Sequence, residues 1–458
     1  MAPVFVRALL ALSVVLTLLI CAVAPANAQM PGQTIAAPPA QSATQKEVPL
    51  DSAFRDKLVE PGQMRATGSI EKTLDGLPTF LRDTNFTFKP RTYYFDQTDP
   101  SKNEEAWAIG GSLEYKSGLA WDRIWVGAEF FGSWPLNTGP NAGDTLLLSS
   151  QGTSYSVLGQ AYVAANLSDS DQIIVGDTTN VDTPYANQHF NRMTPNAFQG
   201  VLLNGFTGDE QQTRKLHYLL GYLDKIKERN SDEFVPMSQA AGSSLNRGTA
   251  TGGLRYLQKE WSVGLVEYYT PDVLNIFYAG VEYTPHLTGN YELKLSAQFT
   301  DQSSLAGSSG TPLPNQWGLE AVASRELAVL TLSLTQTSSA GNLSSPWGSE
   351  PTFTRMAIHD TSRAGENATL ASLSYHLNHF DLPGVSVTAA AAYYWNAVST
   401  AASPQPNQTE LDLYFDYKAP SGPLKGLWFR LQPNWEWNAG GGTTTQLRAI
   451  IYWEVPLI

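Results

Sequence analysis

The stretch Leu427-Trp428-Phe429-Arg430-Leu431-Gln432-Pro433-Asn434-Trp435-Glu436-Trp437 puts apolar side chains at its odd positions, Pro433 apart. Arg430, Gln432, Asn434 and Glu436 take the other parity. After a turn at Asn438–Gly442 the pattern returns: Leu447, Ala449, Ile451, Trp453, Val455 and Leu457 alternate with Gln446, Arg448, Tyr452 and Glu454, Ile450 being the exception. Successive side chains of a strand point to opposite faces, so each segment has one apolar and one ionisable face. Two architectures accept such a pair: the edge of a soluble β-sandwich, or a barrel with lipid outside and water inside.

The amino terminus favours the second. Arg7 supplies a positive charge, Ala8–Val23 an apolar stretch, and Ala26-Asn27-Ala28 a small-x-small cleavage site, so residues 1–28 read as an export signal cut after Ala28. Cys21 does not make a lipoprotein signal, because Ile20 precedes it where that processing wants a small residue. As Cys21 is the only cysteine, the mature chain is expected to fold without the disulfides common in exported proteins. Past the signal no run approaches the roughly 20 apolar residues a spanning helix needs. In a membrane, such a chain must be a closed barrel. The 42 acidic against 29 basic residues, a formal net charge of −13, argue against nucleic acid as a partner.

Residues 29–83 form a lead-in. Pro31, Pro38, Pro39, Pro49 and Pro61 sit among Gln, Ala, Ser and Thr without periodicity, a linker composition. We expect a flexible periplasmic segment with at most a short helix around Asp51–Leu58. From Thr84 to the end the chain reads as about 18 strands, among them Phe86–Phe95, Ile124–Phe130, Phe198–Phe206, Trp261–Tyr268 and Val385–Trp395. The expected class is all-β, a transmembrane antiparallel barrel over residues 84–458. Tight connections (Ser117–Ala120, Ala165–Asp169, Asn378–Pro383) contrast with long polar ones (Ser133–Ser154, Thr178–Asn196, Glu228–Arg247, Asp301–Asn315, Gln336–Gly365). Short turns on one rim and long loops on the other are the barrel pattern. Aromatic clusters near strand ends (Tyr93-Tyr94-Phe95, Trp121 with Trp125, Tyr268-Tyr269, Tyr393-Tyr394-Trp395, Trp435 with Trp437) suggest a belt at headgroup level.

Little points to catalysis. The six histidines (189, 217, 286, 359, 376, 379) form no H-E-x-x-H, and no nucleophile elbow or phosphate-binding glycine loop occurs. We expect no enzyme, no cofactor and no metal. The informative charges are arginines on polar strand faces: Arg91, Arg123, Arg255, Arg430 and Arg448. A guanidinium forks onto a carboxylate with two parallel hydrogen bonds, so several along one wall could pass an anion from site to site. The bland alternative is that each arginine pairs with an acidic neighbour across the lumen.

The chain also resembles the OprD-like specific porins of Gram-negative outer membranes from about Leu74 to its end. Arg91-Thr92-Tyr93-Tyr94-Phe95 is similar to that family's first strand. Ala106-Trp107-Ala108 and Ser117-Gly118 fit the next hairpin. Gly176-Asp177, Thr183-Pro184, Arg192, Met193, Pro195 and Phe198-Gln199-Gly200-Val201 follow its third-loop segment. Lys225-Ile226-Lys227, Arg229-Asn230-Ser231, Phe234-Val235-Pro236-Met237, Pro346-Trp347-Gly348, Pro351 and Arg363-Ala364-Gly365-Glu366 continue the order.

The resemblance implies an 18-stranded barrel, alone or associated as trimers, whose third and seventh loops fold inward. It implies passive diffusion of small carboxylate-bearing solutes, amino acids or aromatic and organic acids, along an arginine-lined constriction. By position Arg91, Arg192 and Arg363 would belong to that constriction. Outer-membrane lipid and the barrel assembly machinery would be further partners. The chain departs from the family in ending on Ile458 rather than an aromatic, and in its longer lead-in. The competing reading is an exported or surface β-protein that binds a partner through its long loops. A barrel enzyme would need a histidine paired with Ser or Asn near one rim.

Overall fold

A computed structural model describes residues 58–63, 73–208, 214–287, 289–305, 313–399 and 403–457. The export signal, most of the lead-in and residues Asp51–Lys57 of the expected short helix lie outside these residues. The strands are β1 (Asn85–Thr98), β2 (Asn103–Lys116), β3 (Ile124–Thr138), β4 (Tyr155–Asn166), β5 (Asp171–Thr178), β6 (Ala197–Thr207), β7 (Arg214–Lys227) and the short β8 (Phe234–Pro236). They continue through β9 (Thr249–Gln258), β10 (Trp261–Thr270), β11 (Leu274–Tyr283), β12 (Tyr291–Ser304), β13 (Asn315–Arg325) and β14 (Ala328–Thr337). The last are β15 (Asn367–His376), β16 (Val385–Trp395), β17 (Gln408–Lys418), β18 (Trp428–Asn438), β19 (Thr443–Tyr452) and the two-residue β20 (Val455–Pro456).

Each strand up to β19 pairs antiparallel with the next, β7 passing over β8 to pair with β9. The ring closes where β19 meets β1, from Arg91 opposite Tyr452 to Thr98 opposite Thr445. β20 extends that seam to Phe88 and Thr87. β8 hangs on β7 alone. With β8 and β20 set aside, eighteen strands form the wall. Among the described residues no helix is long and apolar enough to cross a membrane; the strands cross it, and closure gives the backbone its hydrogen bonds without an edge.

Alternation along the strands sets the two faces. On β14, Leu330, Leu332 and Leu334 are 42%, 50% and 47% exposed, whereas Thr331, Ser333 and Thr335 between them are buried. This is inverted relative to a soluble protein and right for lipid outside and a polar interior. β18 follows the parity read from its sequence, with Gln432, Asn434 and Glu436 buried on the inside and Trp437 exposed. The aromatic clusters divide by the same rule. Tyr269, Tyr393 and Trp437 are outward and exposed, but Tyr93, Phe95, Trp125, Tyr268 and Tyr394 are fully or nearly fully buried on the inner face. The clusters are therefore only half a belt, because consecutive residues of a strand cannot share a face.

The two rims differ as expected. Connections at the rim where β1 begins are short. At the other rim, loop 2 (139–154), loop 3 (179–196), loop 4 (228–248) and loop 7 (338–366) are long. Loops 3 and 7 fold inward. Val181 and Tyr185 of loop 3 and Leu343 and Trp347 of loop 7 pack on Leu219, Val266, Tyr268, Ile276 and Tyr278 of the inner wall. The Tyr185 hydroxyl donates to Thr300 Oγ1 (3.0 Å), and Trp347 Nε1 to the Met237 carbonyl (2.9 Å). Asn187 ties the loops together: its Nδ2 donates to the Ser349 carbonyl and its Oδ1 accepts from the Ser349 N–H. Buried Tyr and Trp each supply large apolar area with a polar tip that is hydrogen-bonded. The two loops thus cover the inner wall of β7, β10 and β11.

Part of the lead-in is fixed on the barrel rather than free: Val59 is buried and its backbone is held by Gln172. Gly176 in β5 has φ +121°, and a Cβ there would collide with the Ala161 carbonyl oxygen of β4, so this position needs glycine. Leu332→Arg, at mid-height on the lipid face, should lower the stability of the folded barrel in liposomes by about 2–4 kcal/mol. Urea titration followed by tryptophan fluorescence measures it, and Thr331→Ser on the inner face should change stability little.

Candidate functional site: an arginine-rich wall beside the inward loops

β1, β18 and β19 are neighbours at the closing seam, and inward parity on them falls to Arg91, Tyr93, Phe95, Arg430, Gln446 and Arg448. Loop 3 adds Phe190 and Arg192. The Arg91 guanidinium stacks 4.3 Å from the Phe190 ring and 5.7 Å from both Tyr93 and Tyr452. Phe95 lies under two guanidiniums, with Arg192 at 5.1 Å and Arg448 at 5.8 Å. Aromatic faces hold cations through the ring quadrupole without neutralising them. The remaining bonds go to neutral oxygens. Arg192 Nε donates to the Thr145 carbonyl (2.9 Å), and Arg448 donates to Gln446 Oε1 (2.6 Å) and to the Ala357 carbonyl (2.5 Å).

Loop 4 brings Arg229 to the same place. Its Nη1 donates to Asn191 Oδ1 (2.6 Å) and lies 2.7 Å from His189 Nε2. Burial, and then the charges of Arg229 and Arg355, hold His189 well below its ordinary pKa, so it is neutral and accepts. Burial is also the main cause that draws Arg192 down to about 10 and Arg229 down to about 9. Both remain charged at neutral pH, with their charges poorly compensated. Arg91, Arg192, Arg229 and Arg448 have no carboxylate partner within ion-pair distance among the described residues. Beside them opens a cavity of about 420 Å³ lined by His189, Arg229, Glu350, Arg355 and Asp360.

The other arginines read from the sequence are placed differently. Arg430 faces the lumen but is held by Asp416 in a two-pronged bond (2.8 and 3.0 Å). Arg255 also faces inward, on β9 at the far side of the ring, where it binds Ser262 and pairs with Glu282. Arg363 grips Glu366 at the end of loop 7. Arg123 is not on a strand: it is exposed in the turn before β3 and donates to the Leu167 carbonyl of the neighbouring turn (2.8 Å). It has no strand face because β3 starts one residue later, at Ile124. Arg229 and Arg355 escaped the sequence reading, since loops have no period to place a side chain on a face. The only signal for Arg229 was its place in the quoted Arg229-Asn230-Ser231 fragment.

Opposite charges anchor loop 7. Glu410 accepts the N–H groups of Ile358 (2.7 Å) and His359 (2.9 Å), and Asp412 accepts that of Ala357 (2.9 Å). His359 sits between Glu366 (Nε2, 2.8 Å) and Glu436 (Nδ1, 3.5 Å) with its ring against Tyr394. The wall's acidic residues thus serve the loop, and the arginines are left for other company.

A closed 18-stranded barrel, lipid-facing outside, ionisable inside and constricted by inward loops, defines an outer-membrane porin. The sequence profile of the outer membrane porin, OprD family, matches residues 78–456, and the chain belongs to that family of Gram-negative outer-membrane channels. No curated protein sequence matches it. Among solved structures it is similar to Pseudomonas aeruginosa OccK9 (OpdG), with TM-score 0.73 and 21% identity over 83% of this chain and 100% of that one. It is also similar to P. aeruginosa OpdK, solved with vanillate (0.71, 20%, 82% and 100%), and to P. aeruginosa OccK8 (OprE) (0.70, 18%, 83% and 100%). At these identities the likeness is one of fold.

The loop 7 latch titrates. Burial disfavours charged His359, but its bonds to Glu366 and Glu436 outweigh this and raise its pKa, with Arg363 opposing. A raised histidine pKa contributes stability that is complete below about pH 6.5 and lost as pH rises through the folded value. Loop 7 should therefore loosen with rising pH, seen as growing open-channel noise in planar bilayers, and His359→Gln should flatten that dependence.

Proposed function

We propose that the porin passes small carboxylate-bearing solutes by passive diffusion along the wall formed by Arg91, Arg192, Arg229 and Arg448, with Arg430 beside them. The single observation carrying this reading is that four inward guanidiniums converge without a carboxylate of their own. A visiting carboxylate gains two parallel charge-assisted hydrogen bonds from such a group. Because Arg192, Arg229 and Arg448 are already partly satisfied by carbonyl and amide oxygens, each stop is shallow, and transport needs weak, multi-site binding.

Phe190, exposed and stacked on Arg91, offers a ring-bearing acid an apolar surface beside that charge. This favours aromatic carboxylates over amino acids, and the fold relative OpdK was solved with vanillate. Arg255 and Arg363, each held by a glutamate, shape the wall rather than carry solute, and Arg123 stands outside the path. Residues 1–28 act as a cleaved export signal, and the barrel assembly machinery inserts the exported chain into the outer membrane.

Arg192→Ala and Arg448→Ala should each reduce uptake of benzoate into proteoliposomes about tenfold, the loss of roughly one charge-assisted bond, while uptake of neutral benzyl alcohol stays unchanged. An unaltered benzoate-to-benzyl-alcohol ratio in both variants would refute the assignment.

A further inference from the structure

At the short-turn rim the inner face of β3–β5 holds a piece of the chain from far upstream. Gln172, buried at the start of β5, uses both ends of its amide on one residue: its Oε1 accepts from the Val59 N–H (3.1 Å) and its Nε2 donates to the Val59 carbonyl (3.0 Å). A side-chain amide thereby replaces the neighbouring strand that an extended residue would otherwise need. The Val59 side chain packs on Trp125, Tyr162 and Ile174, all inward-facing. Four residues on, Gln63 and Asn85 exchange a second reciprocal pair: the Gln63 N–H donates to Asn85 Oδ1 (2.5 Å), and Asn85 Nδ2 to the Gln63 carbonyl (2.6 Å). Between them the Gly62 N–H donates to the Ser117 carbonyl (2.8 Å). A Cβ on Gly62 would come within 3 Å of the carbonyl oxygens of Asp83, Lys116 and Ser117. The backbone is seated too close to the rim for any other residue.

The geometry points to a peptide-binding groove inside the periplasmic mouth of the barrel, occupied by the chain's own Leu58–Gln63, so that this segment narrows the exit of the pore. Two reciprocal amide pairs, a buried valine and an obligatory glycine form a built receptor. A tail that merely trailed into the periplasm would need none of them. Without the segment, the inward Trp125 ring would face a water-filled mouth, and with the segment in place Val59 covers it. The groove recognises an extended strand with a small apolar side chain followed three residues later by glycine, and it acts independently of the arginine wall.

The test uses the exported protein, whose single cysteine, Cys21, leaves with the signal of residues 1–28. A maleimide should label Val59→Cys far more slowly than Trp121→Cys, which is 83% exposed in a turn at the same rim. Adding Gly62→Val should abolish that protection. Gly62→Val, and independently Gln172→Leu, should raise single-channel conductance about 1.5-fold by widening the exit, with heat-modifiable migration on gels confirming an intact barrel. Labelling of Val59→Cys as fast as Trp121→Cys overturns the docking. Parental conductance in both undocked variants overturns the narrowing.

Discussion

Within hydrocarbon a peptide N–H has no water to bond, so a sheet can cross a membrane only by closing on itself. Everything else in this porin follows from the seam that does so, eight residues of β1 against eight of β19. Once the ring is shut, the two-residue period of a strand becomes a sorting rule. One parity is committed to lipid, as Leu330, Leu332 and Leu334 show, and the other to the interior, where Thr331, Ser333 and Thr335 lie. The seam is also where the arginines meet, because Arg91 on β1 and Arg430 and Arg448 on β18 and β19 share the inward parity of adjacent strands.

A ring of this size leaves more interior than inward side chains fill, and loops 3 and 7 occupy part of it. They are held in two chemically different ways. On one side an apolar core around Tyr185, Tyr268 and Trp347 anchors them by burial. On the other, Glu410 and Asp412 take up the free N–H groups of residues 357–359, and His359 bridges Glu366 and Glu436. The second arrangement explains how an acidic protein can have an uncompensated basic wall: several interior carboxylates are already occupied by backbone and histidine. Charge balance over the whole chain says little about the sign of charge a solute meets along its path.

The fold was legible because the barrel rule is local. Reading Leu427–Trp437 alone yields both faces of β18, and the same rule repeated from Thr84 onward gives the strand count. The same period explains two misreadings. Adjacent aromatics such as Tyr268-Tyr269 cannot both face the bilayer, and Arg123 lost its apparent face because β3 begins one residue after it. The site was legible only where it lies on strands. Arg91, Arg430 and Arg448 could be placed by parity, whereas Arg229 and Arg355 come from loops whose course is fixed by long-range packing. Val59 lies in a segment of linker composition, and nothing local marks its partner, a glutamine 113 residues further on.

The central claim is that guanidiniums without a carboxylate of their own give carboxylate solutes a path through the barrel. The reversal potential of the wild-type channel in a planar bilayer under a potassium benzoate gradient tests it most directly. The account predicts stepwise conductance and a reversal potential showing that benzoate carries a substantial share of the current. A potential at the pure potassium limit, with benzoate impermeant, would contradict it.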